Sequence, residues 1–316
     1  EGVKSNVLGK PMKEPQNVPF EKEGQYLKSD NRSNISYFLE HNVLLRRFTL
    51  SVGVLANYNS ALNEGIHFYP GIDASYRIGD NFRLYGSWNR ALRMPTFTDL
   101  YYEGKTNKGN PDLKPEESEA FEVGLKYNTY FLRAHIAGFY RKGKNMIDWV
   151  KEKPEDIWES RNLTKVDNLG FETNLSLLPR ELGNKRFFIR KIELGYAFIH
   201  QDKDSEGYIS NYALDYLKHK FTAQLSHSIW KGFSATWYVR WQDRAGSYTK
   251  YENLKPAYEE PYAPYCLVDM KVNWEYQRLN LYAELNNLLN STYYDLGNIP
   301  QPGIWFKAGF RYSFKY

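Results

Sequence analysis

The sequence predicts an all-β fold, a transmembrane antiparallel β-barrel, and three observations carry that expectation. Aromatic residues make up 17% of the chain, with 27 Tyr, 18 Phe and 8 Trp among 316 residues, yet the mean hydropathy is negative. Ordinary soluble cores lead with Leu, Val and Ala; a membrane barrel instead needs aromatic girdles outside and polar groups in its lumen and loops. Apolar and polar residues also alternate with period two along nearly the whole chain. Finally, the connections between these segments are short and long in turn.

The alternation gives each strand two faces. Leu50, Val52, Val54 and Ala56 oppose Ser51, Gly53 and Leu55. Phe68, Pro70, Ile72, Ala74, Tyr76 and Ile78 oppose His67, Asp73, Ser75 and Arg77. The same pattern recurs at Val123–Tyr127, Phe171–Leu177, Ile192–Phe198, Phe221–Leu225, Ala235–Trp241, Val268–Trp274 and Leu281–Leu285. Pro70 lacks a ladder donor, so it is expected at a strand edge or bulge near the long-loop side. Asn286–Asn290 reads as strand end and loop rather than helix.

A soluble sheet would alternate too, so the connections decide more. Short ones fall at 77–81, 127–130, 230–232 and 275–278, and a longer one on the same side at 179–187. Long ones run over 7–32, 91–116, 143–164, 202–215, 245–263 and 290–303. Short turns at one rim and long loops at the other are the pattern of outer-membrane barrels. About thirteen strands are expected, with a partial one at Glu1–Asn6. No apolar run reaches the roughly 18 residues of a membrane helix. Residues 1–6 also lack the regions of a signal peptide, so residues 1–316 are expected to be the C-terminal part of a longer barrel protein.

The last strand places Phe306, Ala308, Phe310, Tyr312, Phe314 and Tyr316 on one face. An aromatic final residue behind such a stripe resembles the signal read by the barrel-assembly machinery; Phe310, Tyr312, Phe314 and Tyr316 are its candidates.

A family resemblance joins these clues. Trp88-Asn89-Arg90-Ala91-Leu92-Arg93-Met94-Pro95 leads to Asp99-Leu100-Tyr101-Tyr102, then Gly109-Asn110-Pro111-Asp112-Leu113-Lys114-Pro115-Glu116 and Glu122-Val123-Gly124. With Glu284–Asn290, Tyr293-Tyr294 and the aromatic terminus, these segments resemble the TonB-dependent receptors of Gram-negative outer membranes. The resemblance implies a 22-stranded barrel around an N-terminal plug, of which this chain would hold the last thirteen or fourteen strands without the plug. It also implies active uptake of a scarce nutrient, driven by the TonB complex pulling on the plug. Residues 139–150, 210–216 and 297–303 look most like the cobalamin (vitamin B12) receptors of Bacteroidetes, in which a surface lipoprotein would cap the loops. A siderophore receptor is the alternative. Haem receptors carry a histidine ligand between the two proline motifs, and no His occurs from Trp88 to Glu116.

The loop aromatics Tyr101, Tyr102, Trp149, Trp158, Tyr248, Tyr251 and Tyr294 are the candidate contacts for a small-molecule ligand, because flat rings with polar tips pack on a corrin or siderophore. Taken singly, each reads equally as loop packing or upper girdle. Arg90 and Arg93 are candidate lumen residues that would pair with plug acids. The prolines of the two motifs read as structural, since each fixes φ and restricts its predecessor. Asp112, Glu116 and Glu117 read as a solvated loop cluster.

Other classes find little support. No Ser-His-Asp spacing or nucleophile elbow stands out, so no catalytic residue is expected and the chain is not read as an enzyme. A passive porin fits the long prolyl loops poorly. Lys, Arg, Asp and Glu are interspersed, with a net charge of +5, which gives nucleic acid no basic block to bind. Neither cofactor nor metal is expected, and the single Cys266 allows no internal disulfide.

Overall fold

The computed structural model describes residues 1–62, 65–153, 155–183, 186–204, 207–210, 216–253 and 255–314. Three strands, β1 (Gly2–Ser5), β2 (Lys10–Asn17) and β3 (Gln25–Asn31), form a small sheet in the order β1-β3-β2. The wall follows: β4 (Asn34–Leu44), β5 (Phe48–Asn59), β6 (Ile66–Ile78) and β7 (Phe82–Arg93). Helix α1 (Phe97–Tyr101) and β8 (Asn107–Lys108) lie in the next connection. Then come β9 (Glu116–Asn128), β10 (Leu132–Lys151), β11 (Trp158–Leu177), β12 (Ile189–Asp204), β13 (Ile209–Ser210), β14 (Leu217–Ser228) and β15 (Phe233–Arg244). The hairpin of β16 (Ser247–Glu252) and β17 (Lys255–Pro261) precedes β18 (Tyr265–Tyr276) and β19 (Leu279–Asn286). A second small pair, β20 (Tyr294–Leu296) and β21 (Ile299–Pro300), precedes β22 (Trp305–Tyr312).

Thirteen strands run in the unbroken order β22-β19-β18-β15-β14-β12-β11-β10-β9-β7-β6-β5-β4, each antiparallel to its neighbours. This meander is the expected wall. The partial strand at Glu1–Asn6 is a correction: β1 pairs with β3, in the small sheet rather than the wall. Two expected loops are also largely strand. Residues 10–31 build β2 and β3, and the 143–164 stretch continues the β10–β11 hairpin up to Val150↔Glu159. The expected long connections at 245–263 and 290–303 carry the β16–β17 and β20–β21 hairpins.

The wall is one layer thick. Ile72, Tyr76, Phe82, Leu84, Phe121, Val123, Ile136, Leu169, Phe171 and Leu194 are all exposed, and each belongs to the apolar face of its strand. A β-sandwich would bury that face against a second sheet. Here the buried apolar cluster, Val150, Leu163 and Val166, sits in the upper β10–β11 hairpin instead.

Rings border the apolar face at both rims. Near the short turns lie Phe82–Tyr127, with centroids 4.5 Å apart, Phe233–Trp274 at 6.0 Å and Tyr312–Phe314 at 5.0 Å. Near the long loops lie Trp88–Phe121 at 6.5 Å, Phe171–Phe198 at 6.0 Å and His219–Trp241 at 6.2 Å. Phe233 and Trp241 share a face of β15; eight steps of about 3.3 Å separate them by about 26 Å along the strand. After tilt, that spacing suits a hydrocarbon band about 25 Å tall.

Pro70 is paired with Val54 of β5, while the ladder to β7 begins only at Gly71↔Asn89. It therefore sits where β6 parts from β7, and no donor is missed there. β19 stops at Asn286 because Asn287 (φ 52°) and Asn290 (φ 49°) turn left-handed, a region Asn tolerates better than most side chains. The buried Asn287 holds the turn by donating to the Ser291 and Pro302 carbonyls at 2.9 and 3.2 Å.

Candidate functional site

At the long-loop rim the connections are knit into a platform. After β7, Thr96 caps α1: its hydroxyl accepts from Asp99 N–H at 3.1 Å, and Asp99 accepts from Thr96 N–H at 2.9 Å. This reciprocal box fixes a short helix within the expected 91–116 connection. Past the helix, Lys114 N–H donates to Asn162 Oδ1 at 2.8 Å and Asn162 Nδ2 returns a bond to the Lys114 carbonyl at 2.9 Å. Leu113 is buried. The proline-rich stretch is thus pinned to β11, as a structural role requires.

The β1–β3 sheet clamps the same connection. The buried Arg32 donates to the Pro95 carbonyl at 2.6 Å and to Glu1 at 2.6 and 2.8 Å, and lies 5.0 Å from the Phe97 ring centre. Tyr101 Oη donates to Asp30 at 2.5 Å. Burial, and then the Asp30 carboxylate, push the Tyr101 phenol up to about 12. Lys28 and Glu103 pair at 3.2 Å.

The upper hairpin supplies the second part. β13 adds to β10 through Val150↔Ser210, and β8 adds to β11 through Trp158↔Asn107. Ser210 Oγ donates to Asp148, which is almost fully buried, and Asp148 Oδ1 accepts from Trp149 N–H at 2.7 Å. Two bonds to a buried carboxylate orient the hairpin tip that carries Trp149.

These parts sort the candidate aromatics. Tyr102 and Trp149 meet edge to face, 6.4 Å apart at 84°, and Tyr102 is exposed. Trp158 lies under the Lys151 ammonium at 4.6 Å. Tyr101 has its hydroxyl committed to Asp30. Tyr248 and Tyr294 meet at 5.8 Å, with Tyr262 5.1 Å from Tyr248 and Lys250 about 6 Å from both the Tyr248 and Tyr294 rings. Lys250 pairs with Glu260 at 2.8 Å and holds that carboxyl below its usual range. Asn298 ties the two hairpins by donating to the Thr249 carbonyl at 2.7 Å. Tyr251 is exposed. The seven residues thus fall into a Tyr102–Trp149 patch, a Tyr248–Tyr294 patch and three rings apart.

The two arginines occupy opposite faces. The β7–β9 register runs without a shift from Phe82↔Tyr127 to Arg93↔Glu116, so positions 90 and 93 differ in direction. Arg93 meets Glu116 through Nε at 2.5 Å and Nη2 at 2.6 Å. Arg90 meets Glu117 at 3.8 Å, on the face of Phe82 and Leu84. Both border a cavity of about 650 Å³ along β4–β7, with Asn57, Asn59 and Tyr69. Glu116, expected in a solvated cluster, is buried. Asp30, Arg32, Asp148 and Glu116 are the platform residues that sequence reasoning missed; only the capping pattern Thr96–Asp99 had a legible local signal. Among the described residues, no group of three or more His, Cys, Asp or Glu could hold a metal ion.

Comparison with known proteins identifies this architecture. The family model described as "TonB dependent receptor-like, beta-barrel" matches residues 10–288. The chain belongs to the TonB-dependent receptor β-barrel family. Its curated relatives include the vitamin B12 transporter BtuB of Vibrio vulnificus, 26% identical over 225 residues, which cover 54% of this chain and 36% of the relative. The ferrienterobactin receptor of Escherichia coli is 22% identical over 297 residues, 85% of this chain and 38% of the relative. Among solved structures, a ferric enterobactin receptor (PfeA) of Pseudomonas aeruginosa superposes with a TM-score of 0.72 at 19% identity, over 99% of this chain and 49% of that one. This TonB-dependent receptor chain therefore spans between a third and a half of the relatives it matches. It is a β-barrel wall of a Gram-negative outer membrane, its apolar face is the lipid face, and its family is one of receptors and transporters.

Proposed function

We propose that this wall is the C-terminal part of an outer-membrane receptor that imports cobalamin by TonB-dependent active transport. The observation that carries the reading is the Tyr102–Trp149 pair, with Tyr102 exposed and Trp149 half-buried, held edge to face above the wall by the Asp148–Ser210 bond. Two rings at a fixed angle offer one apolar face and one edge to a large planar ligand, and ordering them beforehand lowers the entropy lost on binding. Two curated relatives carry the name vitamin B12 transporter, from Vibrio vulnificus and Photobacterium profundum. The Bacteroidetes affiliation rests on the segments 139–150, 210–216 and 297–303 alone, and of the second only Ser210 and Tyr216 lie within the described residues.

In this reading the ligand settles among the loop aromatics and a plug domain that fills the barrel, and the TonB complex pulls the plug to open a path. No covalent chemistry is involved. A surface lipoprotein caps the loops. Phe310, Tyr312 and Phe314, exposed on the lipid face of the last strand, present the stripe that the barrel-assembly machinery reads; Tyr316 lies outside the described residues. Arg93 remains a candidate for contact with plug acids, in competition with Glu116; Arg90, expected in the lumen, instead shares the lipid-side face of Phe82 and Leu84.

A siderophore is the second reading. It is favoured by the ferrienterobactin receptor relative, which matches a larger share of this chain than BtuB does. Calorimetric titration of the full-length receptor in detergent separates the two. Saturable binding of cyanocobalamin, weakened about tenfold or more by W149A, would support the first reading, a ring pair being worth about 0.5–1.5 kcal/mol beyond its area. No cobalamin binding by a folded receptor, with binding of a ferric siderophore, would replace it.

A further inference from the structure

The lumenal face of β4–β7 carries a polar trough of about 650 Å³, a volume typical of small-molecule sites. It reaches the long-loop rim, where Arg32 and Met94 border it, and runs down past Asn57 and Tyr69 to Glu40 and Asp73. Part of its floor has no side chains, because Gly53 of β5 stands directly opposite Gly71 of β6. The Phe38 ring lies across Gly53, 3.2 Å from where a Cβ would be, and is 58% exposed. A flat apolar patch is thus set among amides, hydroxyls and carboxylates.

Two features give the trough a chemical preference. The first is hydrogen-bonding capacity left over. Asn57 is only 6% exposed. Both N–H bonds of its amide are engaged, with Asn34 Oδ1 and Ser36 Oγ at 2.8 Å each, and its Oδ1 has no partner. Tyr69 Oη has none either, nor has Nε2 of His67, which stands opposite Asn57. Three such atoms thus cluster on two neighbouring strands. A buried polar atom without a partner is unfavourable, so a group that supplies the missing bond is favoured there. The second feature is charge. Glu40 accepts from Asn42 and Ser51 at 2.7 and 2.9 Å, and Asp73 lies between Ser51 and Ser87. Both carboxylates are exposed, and among the described residues neither has a cation within ion-pair reach. The cations at the trough are engaged elsewhere: Arg32 with Glu1 and the Pro95 carbonyl, Arg93 with Glu116, and Arg90 with Glu117 on the other face. Two carboxylates without a counter-charge give the trough a negative potential, which repels anions and attracts N–H donors carried on uncharged groups.

We propose that this trough is a second station for the imported ligand, below the loop aromatics, which takes the uncharged carboxamide arms of a corrin and refuses anionic chelates. The inference rests on the cobalamin reading and deepens it. Primary carboxamides bring N–H donors for Glu40, Asp73 and Asn57 Oδ1, and a carbonyl for Tyr69 Oη. The edge of the corrin lies against Phe38 and the glycine floor. A ferric siderophore held through deprotonated oxygens would carry negative charge toward the two carboxylates. Glu40, Asp73 and Asn57 are therefore specificity-determining residues, set on rigid strands rather than in the loops.

The test titrates the full-length receptor in detergent with cyanocobalamin and with its monocarboxylic acids, in each of which one propionamide is hydrolysed to a carboxylate. The expected result is that at least one acid binds about tenfold or more weakly than the amide, as like charges in a poorly hydrated site require. The E40Q/D73N receptor, which keeps carbonyl acceptors but loses both charges, should close most of that gap. W149A should weaken amide and acid alike, since its ring lies outside the trough. Two results would overturn the proposal. One is equal binding of cyanocobalamin and every acid by the wild type. The other is a gap that persists undiminished in E40Q/D73N, which places the discrimination elsewhere. A folded receptor that binds none of these corrins removes the cobalamin reading and this station with it, whereas equal binding of amide and acid removes the station alone.

Discussion

Arg93 and Glu116 face each other across β7 and β9 in a two-pronged ion pair, and the same Glu116 carboxylate accepts from Ile147 N–H of β10 at 2.8 Å. One buried side chain thereby joins three strands at the point where the wall becomes loop. Replacing Glu116 with Ala leaves a backbone donor and a guanidinium without their acceptor. The expected cost is about 1–3 kcal/mol, that of leaving such a group unsatisfied. E116Q, which keeps an acceptor for Ile147, should cost less. Thermal unfolding in detergent, with limited proteolysis of 94–115, ranks the variants; equal melting of wild type and E116A would deny the joint its role.

The Tyr101–Asp30 bond fastens the small sheet to α1, and Y101F should loosen it by about 1 kcal/mol. Hydrogen exchange should rise in 25–31 and 96–103 and stay unchanged in β14–β19. The pH dependence has a definite sign. The Tyr101 phenol is raised from 10.0 to about 12, so its contribution is fully present below pH 10 and fades as pH rises through about 12. The tyrosinate absorbance of wild type minus Y101F should therefore climb near pH 12. A difference already complete at pH 10 would contradict the bond.

Period two made the wall legible, and the two faces of each strand follow from it, as Val123 and Leu169 outside and Asp73 and Glu122 inside illustrate. Where the sequence misled, tertiary partners outweighed local signals. Residues 10–17 read as part of a long loop, yet β2 is an edge strand that tolerates Pro11 and Pro15, and its register skips from Pro11 to Gln16. Residues 143–164 read as a long loop, yet β10 continues because β8 and β13 flank the hairpin and Val150, Leu163 and Val166 pack within it. Glu116 follows Lys-Pro and precedes another Glu, a solvated pattern; partners distant in sequence, Arg93 and the Ile147 N–H, bury it. The aromatic residues were recognisable one by one, but which rings meet depended on hairpins whose pairing no local pattern encodes.

The lipid face can be tested by a pair of neighbouring substitutions. Val123 is 62% exposed in the middle of β9, so V123R places a charge in the hydrocarbon and should destabilise the folded receptor by about 2–4 kcal/mol. Ser87 is opposite Glu122 on the lumenal face, so S87R stays out of the hydrocarbon, faces a carboxylate and should change stability less. Urea unfolding in lipid vesicles compares them. Equal effects of the two variants would mean that the faces are assigned wrongly.

Two glycines separate stability from recognition in the loops. A Cβ on Gly297 would lie 2.4 Å from Tyr248 Cβ and 2.6 Å from its Cγ, atoms anchored to the β16 backbone that cannot swing aside. G297A should therefore push the 287–304 connection off the β16–β17 hairpin, breaking the Asn298–Thr249 bond and costing about 1–3 kcal/mol as overpacking does. A Cβ on Gly104 would instead meet the far end of the Tyr102 ring, at 2.9 Å from Cε1 and 3.0 Å from Oη. That ring can rotate, so G104A should leave the melting temperature nearly unchanged while turning Tyr102 away from Trp149. If the pair contacts the imported ligand, G104A weakens binding without unfolding the receptor, and G297A lowers the melting temperature first. Melting curves and ligand titrations on both variants read the two effects apart; a G104A receptor that binds its ligand as tightly as wild type would remove Tyr102 from the site.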